Sequence, residues 1–206
     1  LWYNSSMSFL SNIFSIFSKQ SQSVLGIDIG SSAIKVVQIK KKRGKAVLET
    51  YGELALGPYG GVEVGRSTNL SVEKTIEALR DILREAKTTT TSAGVALPLS
   101  SSLISFIQVP PVPEKQLAEV VSLEARKYIP VPMSEVMLDY SVIPKEETYA
   151  VDDDNQEKQV EKRTQDVLVV AIHNEYLNSY QMITTGANVQ PGFYEIEIFS
   201  SIRAVV

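Results

Sequence analysis

The chain has 206 residues, 44% of them hydrophobic and 21% charged, with a net charge of −4. This is a globular composition with room for one large domain or two small ones, and it excludes a disordered chain and a broadly basic nucleic-acid surface. No cysteine is present, which excludes disulfides and thiolate metal centres, and the single histidine, His173, has no second imidazole to join it in a metal site.

The first 23 residues read as a tail. Within it Phe9, Leu10, Ile13, Phe14, Ile16 and Phe17 fall on one helical face. The stretch is too short to cross a bilayer, and it lacks the basic flank and cleavage site of a signal peptide. Two readings stand: an amphipathic segment that touches a membrane, or a disordered tail. Met7 is the first methionine and a candidate start.

Val24 to Ile29 reads as an apolar strand that carries one acid, Asp28. It stops at Gly30-Ser31-Ser32, and a second strand follows at once with Ile34, Val36 and Ile39. Lys40-Lys41-Lys42-Arg43 reads as a solvated turn into a third strand over 46–56. Gly57 to Gly61 is a loop, and 71–87 is a helix with Ser71 at its N-cap.

The texture changes at Ala93. Short strands are expected at 95–97 and 103–109, then an extended Pro110–Pro113 link, a helix over 114–128 and a strand over 137–143. From Glu146 to Asp166 eight acids face three bases, which reads as a solvated loop without chemistry. A buried strand over 167–172 follows, then a helix over 174–185 ended by Gly186 as a C′ glycine. Residues 187–190 read as a short strand, Pro191-Gly192 as a turn and 196–206 as a new apolar run.

The strand–Asp–Gly–Ser–strand segment carries the chemistry. A Gly-Ser turn exposes backbone amides and hydroxyls at one point, which suits a phosphate. Asp28 stands beside it, placed to hold Mg²⁺ directly or through water. Gly30, Ser31 and Ser32 are the phosphate donors on this reading. Lys35 is either a phosphate counter-charge or a solvated strand lysine. The competing reading is a plain structural turn. Neither the Gly-x-x-x-x-Gly-Lys loop nor the Gly-x-Gly-x-x-Gly loop is present. Glu124 and Asp139 share no spacing rule that would bring them together, so no acid–base pair is drawn from them.

Residues 26–32 resemble the first phosphate loop of the actin, sugar-kinase and Hsp70 superfamily. The segments 123–132 and 135–143, together with 166–172 and Glu195-Ile196-Glu197, resemble the type IV pilus assembly protein PilM family, relatives of the cell-division protein FtsA. The resemblance implies an α/β fold of actin-like (ribonuclease H-like) type, with subdomain 1A over 24–92, an inserted SHS2-type subdomain 1C over 93–192 and a return to 1A over 193–206. The second half of the actin-like fold lies outside the 206 residues. It further implies ATP with Mg²⁺ as ligands, weak or absent hydrolysis, and a cytoplasmic protein peripheral at the inner membrane. The implied partner is the N-terminal tail of a PilN-like membrane protein, in a groove walled by Val112, Leu117, Val121 and Ile129, which are equally readable as core. Other pilus assembly proteins and self-association are further expectations; nucleic acid is not. An FtsA-like membrane tether, a small-molecule kinase of the superfamily and a scaffold without turnover are the alternatives.

Overall fold

The computed structural model describes residues 23–144 and 164–205. The apolar segment at 9–17 and most of the acidic stretch after Ile143 lie outside them. The described residues form two compact units. One comprises the chain up to Ser101 and again from Glu175; the other is Ser102–Asn174.

The first unit is built on a five-stranded sheet of β1 (Ser23–Ile29), β2 (Ala33–Lys42), β3 (Lys45–Ala55), β4 (Ser92–Leu97) and β8 (Gln190–Ile196), in the order β3-β2-β1-β4-β8. The pairs β1–β2 and β2–β3 are antiparallel; β1–β4 and β4–β8 are parallel. Strand alternation divides the side chains by face. Ile27, Val36 and Val95 share one face with Tyr194, through their register. Helix α1 (Val72–Glu85) lies on this face, because Ile82 touches the Gly52 position and the Thr50 hydroxyl donates to the Ala86 carbonyl at 2.6 Å. Ser71 caps α1 by accepting from the Lys74 amide. Gln38 is buried here but satisfied: its amide donates to Glu49 and Thr89 and accepts from the Thr89 N–H. Helix α3 (Asn174–Gly186) follows the second unit, and Tyr180 on it reaches the Ile29 carbonyl.

Two expectations for this unit change. Gly186 is the last residue of α3 rather than a left-handed C′ residue, and Asn188 takes the positive φ of 58° instead. Gly186 is needed for close approach, because a Cβ there would lie 2.5 Å from the Ile76 side chain of α1. Pro191-Gly192 is not a turn between elements; it lies within β8. A proline is tolerated because β8 is an edge strand, and Gly192 falls where the register with β4 shifts, between Ala93 and Gly94. The apolar run after it forms helix α4 (Glu197–Val205).

The second unit holds β5 (Ser102–Val109), helix α2 (Glu114–Ala125), β6 (Val136–Ile143) and β7 (Gln165–His173). Its three-stranded antiparallel sheet has the order β5-β7-β6. This unit is narrower than the expected insert of 93–192. β4, α3 and β8 fall in the first unit, because β4 and β8 complete the large sheet beside β1.

Of the two readings of Val112, Leu117, Val121 and Ile129, groove wall or core, burial favours the core. Leu117, Val121 and Ile129 belong to the core of the second unit with Ile107, Val167 and Val169, and Val112 packs against that core partly buried. Val121 is 0% exposed, so it has no surface to offer a partner. Among the described residues, the large apolar side chains this unit exposes are Phe106, Leu123, Tyr128, Met137 and Val142. Glu124 pairs with Lys127 at 2.8 Å, while Asp139 sits on β6 and is not brought to it.

Val121→Asp is expected to destabilise the unit by several kcal/mol, the cost of a buried charge without a partner. Leu123→Asp, at an exposed position of the same helix, is expected to change stability little. Chemical denaturation of both variants checks the contrast; equal losses would remove Val121 from the core.

Candidate functional site

The candidate site lies where the parallel strands β1, β4 and β8 end. In sheets with this connectivity, ligands bind beyond the carboxyl ends of the strands. The register carries Asp28 opposite Lys35 of β2 and opposite Ala96 of β4, which in turn faces Glu195 of β8. Lys35, Asp28, Ala96 and Glu195 therefore form one row across the sheet, on the face opposite α1. Strand spacing puts the two acids of the row about 10 Å apart along it. Lys35 is exposed and stands opposite Asp28 in the register.

The row is completed by α4. Arg203 hydrogen-bonds Glu195, which is only 3% exposed, and the second Glu195 oxygen is buried without a hydrogen-bond partner among the described groups. Glu197, at the start of α4, accepts from the Leu99 amide at 2.9 Å, which ties the end of β8 to the turn after β4. A cavity of about 460 Å³ opens on this face, lined by Asp28, Lys35, Phe193, Glu195, Ser200 and Arg203 among others.

The electrostatics single out Asp28. Burial pushes its carboxyl above the usual range, Lys35 opposes the shift, and the negative charge of Glu197 adds to it. Tyr180, buried nearby, has its phenol pushed up by burial and then by the charges of Asp28 and Glu197. Two acids and a tyrosine thus share one end of β1. Acids perturbed by burial and by neighbouring charge cluster at functional sites, which makes Asp28 a candidate position.

The Gly-Ser turn is firmly held. The Gly30 amide donates to the Ala33 carbonyl at 3.0 Å, the Ser31 carbonyl accepts from Thr68 and the Ser32 carbonyl from Leu56. Gly30 therefore loses the donor role expected of it, because its N–H closes the turn. The Ser31 side chain is exposed and that of Ser32 half-buried.

Sequence reasoning missed Glu195, Glu197, Arg203 and Tyr180 as members of this site. Only the Glu-x-Glu pair at the end of an apolar strand could have signalled two of them. Among the described residues, no group of three or more His, Cys, Asp or Glu is placed to hold a metal by protein ligands alone.

An acid whose pKa is raised on folding binds its proton more tightly in the folded state, so its contribution to stability falls as pH rises through that pKa. Asp28→Asn is therefore expected to raise the melting temperature at neutral pH. The gain should vanish as pH falls below about 3.8, where Asp28 is protonated in both folded and unfolded chains. Thermal melts of both proteins across this range check it; an unchanged or lowered melting temperature at neutral pH would show that Asp28 is not strained.

The comparisons agree with this architecture. The solved PilM–PilN type IV pilus biogenesis complex matches with a TM-score of 0.70 at 25% identity, over 88% of this chain and 49% of that one. The cytoplasmic domain of EpsL, an inner-membrane component of the type II secretion system of Vibrio cholerae, matches in fold with a TM-score of 0.54 at 14% identity, over 87% of this chain and 59% of that one. The chain thus spans about half the length of the PilM chain it matches. The family model for type IV pilus assembly protein PilM matches residues 26–206. The match covers nearly the whole of the described α/β chain, which belongs to the type IV pilus assembly protein PilM family.

Proposed function

We propose that the full-length protein binds ATP with Mg²⁺ at the carboxyl ends of β1, β4 and β8, and works in the pilus assembly platform at the inner membrane with a PilN-like partner. The observation that carries the nucleotide reading is Asp28. It is a half-buried carboxylate, raised by burial and by Glu197, next to a Gly-Ser turn and directly opposite Lys35.

The residues fit a magnesium nucleotide. A divalent cation relieves the repulsion between Asp28 and Glu197, and its bound water suits a carboxylate that is not fully buried. When bound, the ion neutralises phosphate charge. The chain's own residues hold and orient: Asp28 accepts from the ion's water, Ser31 and Ser32 donate to phosphate oxygen, and Lys35 balances the charge. The Glu195–Arg203 pair fixes α4 against the sheet, so Glu197 keeps its place beside Asp28. This is a binding site; no hydrolytic step is assigned to it.

Asp28→Ala in the full-length protein is expected to weaken Mg·ATP binding roughly tenfold or more, the scale of a lost charge-assisted contact. Calorimetry with and without Mg²⁺ reads it. Unchanged affinity in a folded variant would refute the assignment.

The partner reading is supported by family membership and by the match to the PilM–PilN complex. It takes the tail of a PilN-like membrane protein as ligand and places this protein on the cytoplasmic side of the inner membrane. A labelled tail peptide titrated against the full-length protein is expected to bind saturably. Phe106→Ser and Leu123→Ser, exposed apolar positions of the second unit, are the variants to compare with wild type; no saturable binding by wild type would count against the partner.

A further inference from the structure

The five-stranded sheet has a second end, opposite Asp28. Ser23, the first residue of β1, pairs with Lys40 of β2, and the β2–β3 hairpin runs on past it to the Lys42–Lys45 pair. Its two-residue loop is Arg43-Gly44, with φ of 50° and 80°, the left-handed pair that a tight hairpin of matching twist requires. The tip projects beyond the start of β1 by roughly 7–10 Å.

This tip is strongly charged. Lys40, Lys41, Lys42, Arg43 and Lys45 crowd five cations into six positions of a chain whose net charge is −4. Residues 41–45 are all exposed. Glu49, an acid of the hairpin stem, is engaged at its base: hydrogen bonds from Ser23 and Gln38, and the charge of Lys40, hold its carboxyl below the usual range. Next to the cations, Val47 and Leu48 are exposed by 41% and 56%.

We propose that the β2–β3 hairpin is a docking surface for an anionic lipid bilayer. The proposal deepens the inner-membrane reading above by naming the surface that meets the lipid. A polybasic loop is drawn to anionic headgroups, and Val47 and Leu48 give it apolar surface to bury at the headgroup boundary. A nucleic-acid backbone would use the cations but offers those two side chains nothing, and the rest of the chain is more acidic still. The orientation has a consequence: with the hairpin on the membrane, the Asp28 end of the same sheet points away from it, open to ligand.

The test is co-sedimentation of the full-length protein with vesicles of phosphatidylcholine alone and of phosphatidylcholine mixed with phosphatidylglycerol. The variant Lys42→Gln/Arg43→Asn/Lys45→Gln removes three charges and keeps a residue at 43 that accepts positive φ. Wild type should bind only the anionic vesicles, with binding weakened by salt, and the variant's partition coefficient should fall roughly tenfold or more. Equal partition of the variant, or no preference of wild type for anionic vesicles, would overturn the proposal. So would tighter binding to duplex DNA than to the vesicles, lost in the same variant. ATP and tail-peptide titrations of the variant should match wild type, so a failed membrane result and a failed function reading stay distinguishable.

Discussion

The structure depends on one long-range pairing: β8 laid parallel beside β4, about one hundred residues after it in the chain. The Gln190 amide reaches the Thr91 carbonyl at 2.7 Å, and the register then carries Val95 against Tyr194 and Ala96 against Glu195. Without it, β4 would be an edge strand and the acids of β8 would have no relation to Asp28. With it, three parallel strands end together, and their carboxyl ends bring side chains from β1, β4, β8 and α4 to one end of the sheet.

The charges there are arranged at some cost to the fold. Asp28 is raised by burial and by Glu197, and Glu195 keeps one buried oxygen without a partner. Lys35 and Arg203 offset part of this, one from a neighbouring strand and one from α4. A sheet end filled by apolar residues would be more stable and could hold nothing. The negative charge that remains is the physical reason for expecting a cation at this end of the sheet.

The second unit is a separate piece of physics. Its helix α2 spends its apolar face on the three-stranded sheet, with Leu117, Val121 and Ala125 all buried. A small sheet with one helix has no spare apolar residues on that face. The same positions therefore offer no exposed wall for a binding groove, and side chains such as Phe106, Leu123 and Met137 are what the packing leaves outside.

Much was legible in the sequence. Alternation in β1 and β2, the Gly-Ser turn between them, the Ser71 cap and the periodicity of α1 and α2 are local, so short-range rules find them. The pairing of Asp28 with Lys35 is local for the same reason: they lie seven residues apart on two strands of one hairpin. What the tertiary structure alone decided is non-local. It placed Glu195, Glu197, Arg203 and Tyr180 at the same end of the sheet as Asp28, drew Pro191-Gly192 into an edge strand, assigned Gly186 to a close approach of two helices, and packed Leu117, Val121 and Ile129 into a core. A residue's face on a strand can be read from its neighbours, but which strand lies beside it, and what covers that face, is set by contacts between parts of the chain too far apart for any local pattern to record.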